Sequence, residues 1–146
     1  HMDDFYLPFH MRSKERLHIP GGNIHYERFY EEIYKPIKNL KNKDSNTSCL
    51  NYHIFSCQDG SLKKERVPLT SPLIIIEGSY CMHEQIRDLY DYSIFMDISP
   101  SLQQKRLQKR VGSEALKSFN ELWIPLENLY FNTGIPKLCT KQFTVL

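Results

Sequence analysis

Leu73-Ile74-Ile75-Ile76-Glu77-Gly78 is the stretch on which the fold reading turns. Four consecutive apolar residues, mostly β-branched and ended by an acid and a glycine, are how a strand buried on both faces of a parallel sheet is written in sequence. Downstream, Tyr92-Ser93-Ile94-Phe95-Met96-Asp97 predicts a second such strand, with a short helix near Glu84 to Tyr90 between the two. Ser99-Pro100 supplies an N-cap and a proline at the first helical position for a helix carrying Leu102, Leu107 and the cations Lys105, Arg106, Lys109 and Arg110. Ser113 can cap a further helix holding Leu116, Phe119, Leu122 and Trp123, which bends or stops at Pro125. Gln142 to Leu146 reads as a last strand. Strands alternating with helices predict an α/β fold with a mainly parallel sheet.

Upstream of the deciding stretch, Met2 to Pro8 reads as the end of a strand running into a loop, since Pro8 blocks a helix and two acids crowd one turn. Pro20-Gly21-Gly22-Asn23 is a turn and a cap, after which Phe29, Ile33 and Ile37 recur every four residues and mark a helix over roughly Tyr26 to Lys38. The polar run 41–47 predicts a surface loop. Strands are expected around Leu50 to Phe55 and Glu65 to Val67, with Gln58-Asp59-Gly60-Ser61 turning between them.

The composition bounds the class of protein. A length of 146 residues predicts a single domain, and 40% hydrophobic with 25% charged residues places it among globular chains. Lys and Arg exceed Asp and Glu by only 19 to 17, so no global field favours a nucleic acid polymer or an anionic membrane, and any anion site must be local. No apolar run is long enough to span a bilayer. Cys49, Cys57, Cys81 and Cys139 are scattered without disulfide or zinc spacing, and the cytoplasm is the expected setting.

Candidate chemistry falls at strand ends. Open α/β sheets bind ligands at the C-terminal ends of their strands, and Asp3 or Asp4, Glu77 and Asp97 all occupy such ends. One acid there can hold Mg²⁺ while a second orients and deprotonates a hydroxyl that attacks a γ-phosphate, and Asp3 with Glu77 makes such a pair. Lys105 with Lys109, and Arg106 with Arg110, stand four apart on one helical face, which is either a solvated surface or a lid that neutralises phosphate charge. Tyr6, Tyr26 and Tyr52 could stack on a base or simply pack, and the histidines at 10, 18, 25, 53 and 83 show no metal spacing.

These residues carry a family match. Asp3-Asp4-Phe5-Tyr6-Leu7-Pro8, Arg12 to Arg16 with Pro20-Gly21-Gly22-Asn23 and Tyr26-Glu27-Arg28-Phe29, Ile74 to Gly78, and Trp123 to Glu127 with Tyr130-Phe131 together resemble the bacterial uridine kinase-like proteins of the P-loop kinase superfamily. The resemblance implies a three-layer α/β/α kinase fold, with the first strand and phosphate loop absent from these residues. It also implies a substrate-side loop and hairpin over 41–70 and a lid with its following helix over 99–132. It implies phosphoryl transfer from ATP, with Mg²⁺, to a nucleoside 5′-hydroxyl. Asp3 would be the base, Arg106 and Arg110 the lid cations, Asp3 and Glu77 the Mg²⁺ environment, and Asp4, Tyr6, Arg12, His25 and Tyr52 the substrate side.

The chain departs from that family in three places. No Gly-x-x-x-x-Gly-Lys-[Ser/Thr] occurs, and the nearest decoy, Gly112 to Lys117-Ser118, lacks the second glycine. Cys57 stands where members with a defined pyrimidine preference have a histidine, and His25 stands where they place a ribose-binding aspartate. The 146 residues alone are therefore expected not to turn over ATP, and the nucleoside stays open, as does a pantothenate-like acceptor. A catalytically dead binding module is the rival reading. Unpaired sheet edges would favour association with a second copy or a complementing segment.

Overall fold

Serine, glycine and proline punctuate the first third of the chain. Ser13 Oγ accepts the Arg16 N–H and opens α1 (Lys14–Leu17). The chain then doubles back so closely that a Cβ on Gly22 would lie 1.8 Å from the Arg16 carbonyl oxygen. Backbone cannot yield as a side chain tip can, so Gly22→Ala is expected to lower stability by about 2–3 kcal/mol, read by denaturant unfolding. The computed structural model describes residues 1–42 and 48–145, so most of the polar loop expected at 41–47 lies outside the described residues, as does Leu146. The chain divides into two compact units, His1–Leu89 and Tyr90–Leu146.

In the first unit the expected helix forms and runs further than its apolar spacing predicts. It consists of α2 (Tyr26–Phe29), a π turn (Tyr30–Tyr34) and α3 (Lys35–Lys41). The π turn has a local cause. Pro36 has no N–H to give the Glu32 carbonyl, and its ring would collide with that carbonyl in a regular α-helix. Phe29, Ile33 and Ile37 are all buried. The hairpin follows as β1 (Cys49–Phe55) and β2 (Leu62–Pro68), antiparallel with Tyr52 opposite Glu65. In its turn, Ser56 and Ser61 hydrogen-bond the Asp59 carboxylate and hold its pKa down to about 2.

Three local expectations give way here. Leu73 to Ile76 forms no strand, and Leu73, Ile74 and Ile75 are 69%, 40% and 76% exposed rather than buried on two faces. A strand needs neighbours on both sides to be buried on both faces. The Met2 N–H bonds the Glu77 carbonyl at 2.9 Å, one residue past the end of the run. Met2–Phe5 is a 3-10 turn rather than a strand end, with Met2 and Phe5 packed inward. The short helix expected near Glu84 to Tyr90 is a series of turns with one 3-10 turn, Arg87–Leu89, pinned by buried Ile86 and Leu89.

The second unit is a parallel strand pair with a helical crossover. β3 (Ile94–Ile98) and β4 (Lys141–Val145) pair with Met96 opposite Phe143. A parallel pair cannot be closed by a tight turn. The connection is made by α4 (Pro100–Ser118), a π turn (Phe119–Trp123), α5 (Ile124–Asn132) and α6 (Ile135–Leu138). Ser99 Oγ accepts the Leu102 N–H at 3.3 Å, as its cap role requires. Gly112, at φ 77° and ψ 174°, interrupts α4 just before Ser113. The helix does not stop at Pro125, because a second π turn again precedes the proline and relieves the same clash. Phe131 meets Phe95 edge-on at 5.1 Å and ties α5 to β3. The fold is thus α/β, and no helix among the described residues is long and apolar enough to cross a membrane.

Candidate active site

The Met2–Phe5 turn sets two neighbouring acids in different surroundings. Asp3 is exposed, whereas the Asp4 side chain keeps only 16% of its exposure. The Met2–Glu77 backbone bond holds this turn beside Glu77, whose carboxylate is 60% exposed and touches the His1 imidazole. Asp97 is engaged locally, accepting the Ile98 N–H at 2.9 Å.

Phe5 carries the turn onto the hairpin, with its ring stacked on Tyr52 at 5.8 Å and 17°. The Tyr52 hydroxyl lies near the Asp4 carboxylate. Burial first, then the negative charge of Asp4 and of Glu65, push its pKa up. Asp4 and Tyr52, both assigned to the substrate side, are therefore brought together. A cleft of about 140 Å³ opens against Phe5 and Tyr52, walled by Phe29, Ile33, Leu50 and the Ile74 to Ile76 run.

The strip continues alongside residues 23–25. Leu7 N–H donates to Asn23 O at 2.8 Å, and His25 N–H donates to Phe5 O at 2.7 Å. Tyr6 meets Phe55 edge-on at 6.5 Å. Burial lowers the His25 pKa, so its ring is neutral near pH 7, and its buried Nδ1 has no hydrogen-bond partner among the described residues. Arg12 donates from Nε to Leu7 O at 2.8 Å, with its guanidinium over the rings of Phe9 and Phe55. Arg106 and Arg110 lie exposed on α4 of the second unit, Arg110 over the Phe119 ring at 5.8 Å.

Three residues at the centre of this geometry had no role in the sequence reading. Arg28 is buried, its side chain 7% exposed, and donates from Nη2 to the carbonyls of Asp4 at 2.8 Å and Tyr6 at 3.5 Å. Its Nη1 donates to the His53 carbonyl and lies 3.6 Å from Glu32. Burial lowers the Arg28 pKa, with Glu32 and Asp4 opposing, and a guanidinium so placed stays charged. Glu32 in turn accepts the His53 N–H at 2.8 Å and meets its Nδ1 at 2.7 Å. The readable signal was Arg28 with Glu32, an i, i+4 ion pair next to buried Phe29.

Mg²⁺ usually takes one or two protein carboxylates and completes its shell with water and phosphate oxygens. Asp3 and Glu77, both exposed, suit that sparse donor set. No cluster of three or more His, Cys, Asp or Glu stands among the described residues.

A helix-crossed parallel pair, with an acid-bearing turn packed on a hairpin, is the frame of a uridine kinase-like P-loop kinase. The model of the phosphoribulokinase / uridine kinase family matches residues 2–112, and the chain belongs to that family. The solved structure of a possible uridine kinase from Bacillus stearothermophilus shares the fold, with a TM-score of 0.67 at 21% identity, over 98% of this chain and 69% of that one. No curated protein matches the chain.

Proposed function

We propose that the chain serves phosphoryl transfer from ATP to the 5′-hydroxyl of a nucleoside, and that its first unit is the acceptor side. The observation that carries this reading is the Phe5–Tyr52 ring stack, which draws the hairpin onto the turn presenting Asp3 and brings Tyr52 near Asp4. Asp3, left in water, is the carboxylate free to take the acceptor hydroxyl proton. Asp4 and Tyr52 orient the acceptor, Tyr6 and the neutral His25 flank it, and Arg12 borders it from the Phe9–Phe55 side. Asp3 and Glu77 would hold Mg²⁺, which when bound offsets charge on the transferred phosphoryl group. Arg106 and Arg110 would serve the phosphates as lid cations. The setting proposed is cytoplasmic, and the exposed Leu73 to Ile75 run is the proposed surface for self-association or strand complementation.

The 146 residues contain no Walker A motif, so they supply no nest of N–H groups for the donor phosphates. Incubated with ATP, Mg²⁺ and uridine or cytidine, they are expected to give no product. Joined to an upstream segment of roughly 25 residues carrying that loop, they are expected to phosphorylate one of the two. Product from the 146 residues alone would overturn the need for the loop. If both nucleosides stay inert with the loop-bearing form while a carboxylate-bearing alcohol reacts, the nucleoside reading is lost and a pantothenate-like acceptor takes its place.

A further inference from the structure

Among the described residues Arg28 is the buried charge of the molecule, and an apolar side chain would fill its place at lower cost. What an arginine adds is a rigid fork of donors. Here the fork does not seek side chains of the site but the backbone beneath them, at the carbonyls of Asp4, Tyr6 and His53. Those carbonyls belong to the two segments that carry Asp4 and Tyr52. The face of its guanidinium lies 4.6 Å from the Phe5 ring, the same ring that stacks on Tyr52. Glu32, one helical turn on, holds the same residue of the hairpin by accepting the His53 N–H and meeting its Nδ1. The hydrogen bonds that Arg28 and Glu32 make to the acid turn and the hairpin thus come from one face of the Tyr26–Lys41 helix, beside the direct stack of Phe5 on Tyr52.

We infer that Arg28, backed by Glu32, is a positioning residue of the acceptor site that sets the spacing between Asp4 and Tyr52. The inference rests on reading that site as the acceptor side. A brace that merely stabilised the core would leave the spacing of Asp4 and Tyr52 unchanged once the chain is folded. A positioning residue would not. Lysine keeps the charge of Arg28 but offers a single nitrogen, which cannot span three carbonyls on two segments.

The test uses the full chain, labelled at tyrosine Cζ, with the Tyr52 signal assigned by its loss in Tyr52→Phe. In Arg28→Lys, the Tyr52 hydroxyl is expected to ionise at lower pH than in the parent, and uridine affinity by calorimetry to fall about tenfold or more. Glu32→Gln, which keeps the shape of the helix, is expected to move the same signal in the same direction if Arg28→Lys does not fold. A folded Arg28→Lys or Glu32→Gln whose Tyr52 titrates as the parent does overturns the inference. If the parent binds no uridine yet the Tyr52 signal moves in the variants, the positioning role stands and the nucleoside reading fails.

Discussion

Arg28→Ala is expected to cost the first unit about 3–5 kcal/mol, because removing one partner of a buried pair leaves the other without compensation. The carbonyls of Asp4, Tyr6 and His53 lose their common donor, and Glu32 keeps only its bonds to His53. A domain has about 5–15 kcal/mol of stability in all, so the loss is a large share. Denaturant unfolding of the full chain measures it. A loss below about 1 kcal/mol, the scale of an exposed ion pair, would mean that water reaches the guanidinium in solution.

Asp3→Asn is expected to lower kcat by about 10²–10⁴-fold in a form that carries the phosphate loop, with the acceptor KM little changed. An amide keeps the shape of the carboxylate and cannot take the hydroxyl proton. Asp3 is exposed and Asp4 is largely covered near Tyr52, so the two neighbours should differ. Asp4→Asn is expected to raise KM more than it lowers kcat, since its carboxylate orients the hairpin tyrosine. The comparison is a steady-state measurement with both variants. Equal losses of kcat from the two would remove Asp3 from the role of base.

The elements that could be read from sequence were those whose signal is local. Ser99-Pro100 names a cap, and the Phe29, Ile33 and Ile37 spacing names a buried helical face. Asp59-Gly60 names a turn whatever lies around it. The Leu73 to Ile76 run differs in kind, because burial on both faces is a property of its neighbours and not of its own residues. Exposed, it marks where the pattern of a strand and the means to pair it part company. The same limit applied to the site. Asp3, Asp4, Tyr52 and Glu77 were visible as residue types, the acids at expected strand ends that the structure replaces with a 3-10 turn and an unpaired run, and Tyr52 in a hairpin. The acceptors of Arg28 are backbone carbonyls, which every residue has and no sequence pattern displays.

The π turn ahead of Pro36 has a geometric consequence for the helix that carries Arg28. An α-helix turns once in about 3.6 residues, so a side chain repeated every fourth position drifts about 40° around the axis at each step. Over Phe29, Ile33 and Ile37 that drift would swing the last residue well off the line of the first. A π turn closes over an additional residue and winds more slowly, which takes back rotation at the place where the drift accumulates. All three side chains stay buried, at 1%, 6% and 6% exposure. The proline that a helix would ordinarily reject therefore acts as a phase corrector. It keeps the apolar stripe straight, and with it the angular offset at which Arg28 and Glu32 face the hairpin.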